Sequence, residues 1–134
     1  MPRADMADHL VHFMSGPRWG DAFGTLQTVI DERRLIGSGR VNRGGYLCVC
    51  FSEAPLQVVR GGPVNDDGYS RYTPFGILFD KRWIFAQGGR PVIYQPEAEY
   101  NLLPEELRWR HMRYEIDGPE HVDFTWEREW RLHV

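Results

Sequence analysis

Asp123-Phe-Thr-Trp-Glu-Arg-Glu-Trp-Arg-Leu-His-Val134 changes chemistry at every step. In an extended chain Phe124, Trp126, Arg128, Trp130 and Leu132 fall on one side, and Thr125, Glu127, Glu129, Arg131 and His133 on the other. The alternation predicts a strand with an aromatic core face and an opposite face carrying two carboxylates and a guanidinium. Such a strand needs a sheet to join.

The rest of the sequence supplies one. Tyr46-Leu-Cys-Val-Cys-Phe51 is nearly uniformly apolar and β-prone, which suits a central strand buried on both faces. His9 to Met14 reads as a short strand closed by Ser15-Gly16-Pro17. Phe75 to Phe79 and Arg90 to Tyr94 read as two more, separated by Asp80 to Gly89, whose ending Gln87-Gly88-Gly89 marks a turn.

Two stretches carry helical signals. Ala22, Phe23, Leu26, Val29, Ile30 and Arg33 recur at steps of three and four, with Asp21 placed to cap. Asp21 to about Arg34 is therefore expected to be an amphipathic helix packed on the first strand. Leu103 to Tyr114 has Pro104 at a first helical position, acids in the first turn and basic residues further on, and is expected to be a second helix. Gly37 to Gly45 is a glycine-rich loop without the Gly-Lys-Ser/Thr ending of a phosphate loop. Pro55 to Tyr72 has the composition of a long surface loop and is a candidate lid.

The 134 residues, read as one α+β domain over 1–134, suffice for one continuous core. The 16 Lys+Arg and 19 Asp+Glu give a formal charge of -3, which removes the uniform basic field of a general nucleic-acid binder. Residues 97–134 hold 5 basic and 10 acidic side chains, so an acid–base carboxylate is expected in that third. No apolar run approaches the roughly 20 residues that span a bilayer, and the first eight residues lack a secretion signal's apolar stretch, so the cytoplasm is expected. Cys48 and Cys50, two apart on one strand face, suit reduced core thiols better than a disulfide or a metal site.

Several residues are candidates for chemistry. Glu127 and Glu129, side by side on a strand, can divide labour: one holds a ribose hydroxyl or stabilises an oxocarbenium-like centre, and the other activates a nucleophile. A solvated edge paired with Arg131 and Arg128 is the plainer account. His12 suits a ring N–H donated to a ligand hydroxyl with its other nitrogen fixed by backbone, or a satisfied, partly buried histidine. Ser52 and Glu53 end the central strand, where the hydroxyl supports a site or caps a helix over 53–59. Tyr69, Tyr72 and Phe75 can stack on a nicotinamide or a base, or serve as core. Arg40, Arg43, Arg71, Arg82 and Arg90 offer forks for a pyrophosphate or a nucleic-acid backbone. Arg108, Trp109, Arg110 and Arg113 mix basic groups with an indole. The sequence contains no HExxH, no GxGxxG and no nucleophile elbow. An RNA-directed nuclease using His12, His111 and Glu residues has only histidines scattered over different elements behind it.

Cys48-Val-Cys-Phe-Ser-Glu-Ala-Pro-Leu56, Tyr72-Thr-Pro-Phe-Gly-Ile-Leu-Phe-Asp-Lys81, Gly88-Gly-Arg-Pro-Val-Ile-Tyr94 and Trp126-Glu-Arg-Glu-Trp-Arg131, in that order, resemble the AbiGi antitoxin-like family of abortive-infection proteins. His9-Leu-Val-His-Phe13 and the following helix fit as well. That family in turn looks like a compact ADP-ribosyltransferase fold near the DarT-type enzymes. The resemblance implies a split mixed or antiparallel sheet with two principal helices, clasping NAD as substrate with no metal. It implies that His12 contacts the nicotinamide ribose, Ser52 supports the site and Tyr72 stacks near nicotinamide. Glu129 is then the catalytic carboxylate and Glu127 the acid that activates a nucleic-acid or protein acceptor. A phage-defence or toxin–antitoxin role follows, with a cognate partner protein and no membrane. The alternative is a non-catalytic antitoxin or defence module that binds its partner through the same scaffold.

Overall fold

The computed structural model describes residues 7–14, 19–39, 42–54 and 75–134, with the Trp19 side chain outside that description. The chain is mixed α+β, built on an antiparallel sheet with few helices. Strands β1 (His9–Phe13), β2 (Cys48–Ser52), β3 (Gly76–Asp80), β4 (Arg90–Pro91) and β7 (Glu129–His133) form one five-stranded sheet in the order β3-β1-β2-β7-β4. Every pairing in it is antiparallel. Two short strands, β5 (Ile93–Gln95) and β6 (His111–Arg113), pair in parallel as a separate sheet.

Register decides what each face carries. Val49 lies opposite Leu132 and Phe51 opposite Trp130, whereas Cys50 lies opposite Arg131 and Ser52 opposite Glu129. Directly opposed residues share a face. The first pair-set joins Leu10 and Ile84 in the hydrophobic core, with Leu35, Phe79 and Leu132 packed against it. The second pair-set looks the other way, toward β6. The central position expected for 46–51 is therefore observed, over Cys48–Ser52.

Helix α1 spans Trp19–Glu32, close to the expected bounds, with Asp21 inside its first turn instead of capping it. It packs less than its periodicity implies. Ala22 is its one buried residue among those described, the Phe23 ring meets Phe75 at 5.4 Å, and Ile30 stays 59% exposed. Helix α2, Lys81–Ala86, fills part of the stretch read only as a connection. The Asp80 carboxylate caps it by accepting from the Trp83 N–H at 2.9 Å, which follows the usual logic of an Asp before a helix. It brings Ile84 into the core and ends at Ala86, and the turn that follows uses Gly88, whose φ of 102° suits glycine, so the expected turn is where the sequence put it.

Three expectations are corrected. The second helix, Leu103 to Tyr114, is instead a 3-10 segment, Glu105–Arg110, running into β6. Pairing of His111 with Ile93 and Met112 with Tyr94 claims the backbone that a helix would have used, a tertiary override of local propensity. The single strand Arg90 to Tyr94 is two, divided at Val92, where the chain leaves the large sheet for the small one. The terminal strand begins only at Glu129: Thr125–Glu127 is a 3-10 turn and Arg128 is left-handed, at φ 46° and ψ 56°. The candidate lid, 55–72, lies outside the described residues, and Tyr69, Arg71 and Tyr72 with it. Among the described residues no helix is long and apolar enough to cross a membrane.

Candidate functional site

The face of the large sheet opposite the core is roofed by the small sheet, and between them lies a cavity of about 750 Å³. That size falls within the usual range of small-molecule sites. His12, Ser52, Glu127 and Glu129, chosen from distant parts of the sequence, all line it. Ser52, Glu127 and Glu129 are buried. The outward, solvated reading of the two carboxylates is thus wrong for this chain, and so is their placement on a single strand.

The turn explains how both acids enter one space. Asp123 accepts from the Thr125 N–H at 2.9 Å and from its hydroxyl at 2.6 Å, which starts the 3-10 turn and holds the Asp123 carboxyl below its ordinary pKa. The left-handed Arg128 then separates Glu127, in the turn, from Glu129, on β7, so the two acids reach the cavity from different elements and not side by side on one strand. Left-handed backbone at a residue with a Cβ costs roughly 1–2 kcal/mol, so surrounding contacts must hold it. They do so from three sides. The Ser52 hydroxyl donates to the Glu127 carbonyl and accepts from the Ala54 N–H at 3.2 Å. The Glu53 N–H donates to the Arg128 carbonyl at 3.0 Å. The Tyr94 hydroxyl accepts from the Glu129 N–H at 3.2 Å and donates to the Phe124 carbonyl at 3.3 Å. Burial, together with the neighbouring acids, pushes the Tyr94 phenol up to about 12, so it remains a donor. Ser52 therefore acts through the backbone of the turn as a support, while the helix over 53–59 that it was expected to cap falls mostly outside the described residues.

Glu129 is ion-paired with Arg131, two residues on and on the same face. Both are buried. The rest of the guanidinium is spent on the roof: Nη1 donates to the carbonyls of Trp109 and His111, each at 3.0 Å, and Nη2 contacts the Met112 sulfur at 3.5 Å. Cys50, directly opposite Arg131, hydrogen-bonds to Glu129, and burial with that carboxylate beside it pushes its thiol up to about 12. Both cysteines are free, and at neutral pH Cys50 is an un-ionised thiol.

His12 sits where β1 and β2 part. The two strands are joined at Val11 and Ser52, and beyond that point the His12 Nδ1 reaches the Cys50 carbonyl at 2.7 Å. A carbonyl oxygen only accepts, so Nδ1 carries the proton. Burial lowers the pKa of the ring below its ordinary value, against the opposing effect of the Cys50 bond, and keeps the imidazole neutral. Its Nε2 is then a lone-pair acceptor. The expected ring N–H for a ligand hydroxyl is corrected accordingly: the hydroxyl would donate and His12 accept.

The remaining candidates divide. Arg43 lines the cavity, ion-paired with Glu97 and with its guanidinium carbon 4.5 Å from the Tyr100 ring centroid. Arg113 lines it too, paired with Glu120 at 2.8 Å and Glu115 at 3.4 Å. Arg90 is directed to the Phe85 and Gly89 carbonyls, away from the cavity wall, and Arg82 is also absent from that wall. Arg40 lies outside the described residues. Glu53 faces the other side of the sheet, accepting from the Trp130 indole at 2.6 Å and from Lys81 at 2.9 Å. Trp109 is stacked on His133 at 5.6 Å, and Phe75 packs on Phe23. His111 joins His12 on the cavity, although 99 residues of sequence numbering separate them.

Arg131, Cys50 and His111 on the wall, and Tyr94 holding the turn behind it, are the residues that the sequence pattern underrated. The period of two already put Arg131 on the Glu129 face and Cys50 on a common face with Cys48. Tyr94 and His111 gave no such signal, because their places depend on how the small sheet folds over. Among the described residues no group of three or more His, Cys, Asp or Glu side chains is arranged to hold a metal ion. No protein-family model, curated protein or solved structure compared with the chain matches it.

Proposed function

We propose that this is a cytoplasmic NAD-dependent ADP-ribosyltransferase-like protein of a bacterial phage-defence or toxin–antitoxin system, passing ADP-ribose to a nucleic-acid or protein acceptor. The observation that carries the reading is the convergence of His12, Ser52, Glu127 and Glu129 on one cavity wall. The proposed fold is a compact ADP-ribosyltransferase-like one, in keeping with the AbiGi-like and DarT-like resemblance, and the parting of β1 from β2 beside His12 favours it.

The chemistry follows from charge. As the bond between the ribose C1′ and the nicotinamide nitrogen breaks, nicotinamide leaves with the electron pair and positive charge grows on the ribose. A buried carboxylate beside that carbon stabilises it far more than one in water, and Glu129 takes this role. The neutral His12 accepts a hydrogen bond from a ribose hydroxyl. Glu127 takes the proton of the acceptor nucleophile as that atom bonds to C1′. Arg43 and Arg113 supply positive charge for phosphate oxygens, each by exchanging a glutamate partner for the ligand. Tyr72 and Arg71 are proposed to complete the cofactor contacts.

Calorimetry with NAD, a nicotinamide-release assay, and labelled NAD offered to DNA, RNA and total protein test the proposal. Glu129→Gln should lower nicotinamide release by about 100-fold or more while NAD affinity changes much less. Release at the parental rate by Glu129→Gln sinks the assignment. One observation favours a second reading: the ion pair with Arg131 already gives the Glu129 carboxylate a fixed counter-charge, as expected of a binding module without turnover. NAD binding without transfer, or a stable complex with a cognate protein and no NAD binding, would select that module.

A further inference from the structure

We propose that Arg131 is a positioning residue of the site, its buried guanidinium keeping the Glu129 carboxylate charged and fixed on the cavity wall while bracing the roof formed by β6. The inference rests on Glu129 being the charge-stabilising group, but its geometry stands without NAD.

Glu129 is buried, and an ionised carboxylate away from water needs a counter-charge or it takes up a proton. The groups facing it from each packed element are few. Cys50 on β2 is an un-ionised thiol, Tyr94 on β5 is an un-ionised phenol whose oxygen meets the Glu129 N–H, and His12 on β1 and His111 on β6 share the cavity. Glu127, from the turn, lines the same cavity and is an acid, so it brings no positive charge. Among the described residues Arg131 is the cation in salt-bridge contact with it.

The fork is what makes Arg131 more than a counter-ion. Nε serves Glu129 on β7, while Nη1 serves two carbonyls, Trp109 and His111, at the start of the roof strand. One rigid planar group therefore sets the carboxylate against the large sheet and the small sheet against the carboxylate. A lysine ammonium is a point charge on a flexible stem and does not span these partners in a fixed geometry.

Carbon-13 NMR of protein labelled at glutamate carboxyls reads this directly, with the Glu129 signal assigned by its loss in Glu129→Gln. In the parent the signal should be that of a carboxylate at pH 7. In Arg131→Met it should become that of a neutral carboxyl, and NAD affinity should fall. Arg131→Lys, the gentler change, should keep the Glu129 signal charged yet shift the backbone amides of residues 109–112 and weaken NAD binding. A folded Arg131→Met in which Glu129 stays ionised at pH 7 overturns the proposal. If Arg131→Met does not fold, Arg131→Lys decides: unchanged amides at 109–112 overturn it and shifted ones support it. Absence of NAD binding by the parent protein would defeat the functional reading alone, since the carboxyl and amide signals still judge Arg131.

Discussion

The seam between β2 and β7 and the helix α1 are both strongly patterned in the sequence, yet the chain invests in them very differently. Along the seam, both faces are buried: Val49, Phe51 and Trp130 on one, Ser52, Glu129 and Arg131 on the other. On α1 the pattern is correct and the helix forms, but Phe23 and Ile30 stay about half exposed or more. Periodicity therefore reports the shape of an element, not how much stability it carries. The polar side of the seam adds a further lesson, because burial there encloses charge as well as hydrocarbon.

The largest effect should come from breaking that enclosed pair. Arg131→Met leaves a buried carboxylate unpaired and should cost about 3–5 kcal/mol in denaturant unfolding. Adding Glu129→Gln removes the carboxyl that must otherwise take up a proton at neutral pH, so the double variant should be more stable than Arg131→Met alone. A double variant that loses the sum of the two single changes would mean that the two side chains act independently. Slightly smaller is the cost of the core itself. Ile84→Ala, at a residue 1% exposed in the cluster with Leu10 and Trp130, should cost about 2–5 kcal/mol by the same measurement.

Ser52→Ala comes next, at about 1–3 kcal/mol, because the Glu127 carbonyl loses its donor in a buried place. Its effect should be local: amide exchange at residues 124–129 should quicken more than exchange in β1 or β3. Uniform quickening across the sheet would show that the hydroxyl supports the whole sheet instead of the turn.

How far the sequence carried is best judged at these same residues. The existence of β1, β2 and β3, though not their exact ends or their order in the sheet, followed from short apolar runs, and the common face of Glu129 and Arg131 from the period of two. The turn at Arg128 did not, because a left-handed arginine has no local signature. It exists because Ser52, Glu53 and Tyr94 grip the chain on either side of it. The mistaken helix at 103–114 failed for a related reason. Pro104, Glu105 and Glu106 do open a helical turn, but β5 lies ready to pair with His111–Arg113. Only the folded chain reveals that partner. The convergence of His12 and His111 on one cavity was likewise invisible, being a product of sheet order.

A smaller effect should appear with pH. Burial sets the folded-state pKa of His12 below that of the unfolded chain, near 6.5, so the unfolded chain binds a proton first as the solution is acidified. The stability tied to neutral His12 is intact above that value and is lost as pH falls from there through the lower folded pKa. Thermal unfolding of the parent should weaken between pH 7 and pH 5 more than that of His12→Gln. Parallel slopes would remove His12 from the account of the seam.

The smallest effect should be at Ile30. If exposure decides the contribution of an apolar residue, truncating Ile30 on α1 exchanges little buried area while alanine suits the helix backbone better than a β-branched side chain. Ile30→Ala should thus stay within about 0.5 kcal/mol of the parent in denaturant unfolding, or stabilise it slightly. The comparison with Ile84→Ala is a clean one, since the same atoms are removed from two helices of one chain. A loss at Ile30 approaching that at Ile84 would mean that α1 packs in solution against something the exposed face does not display. The contrast between seam and helix would then be one of partners, not of investment.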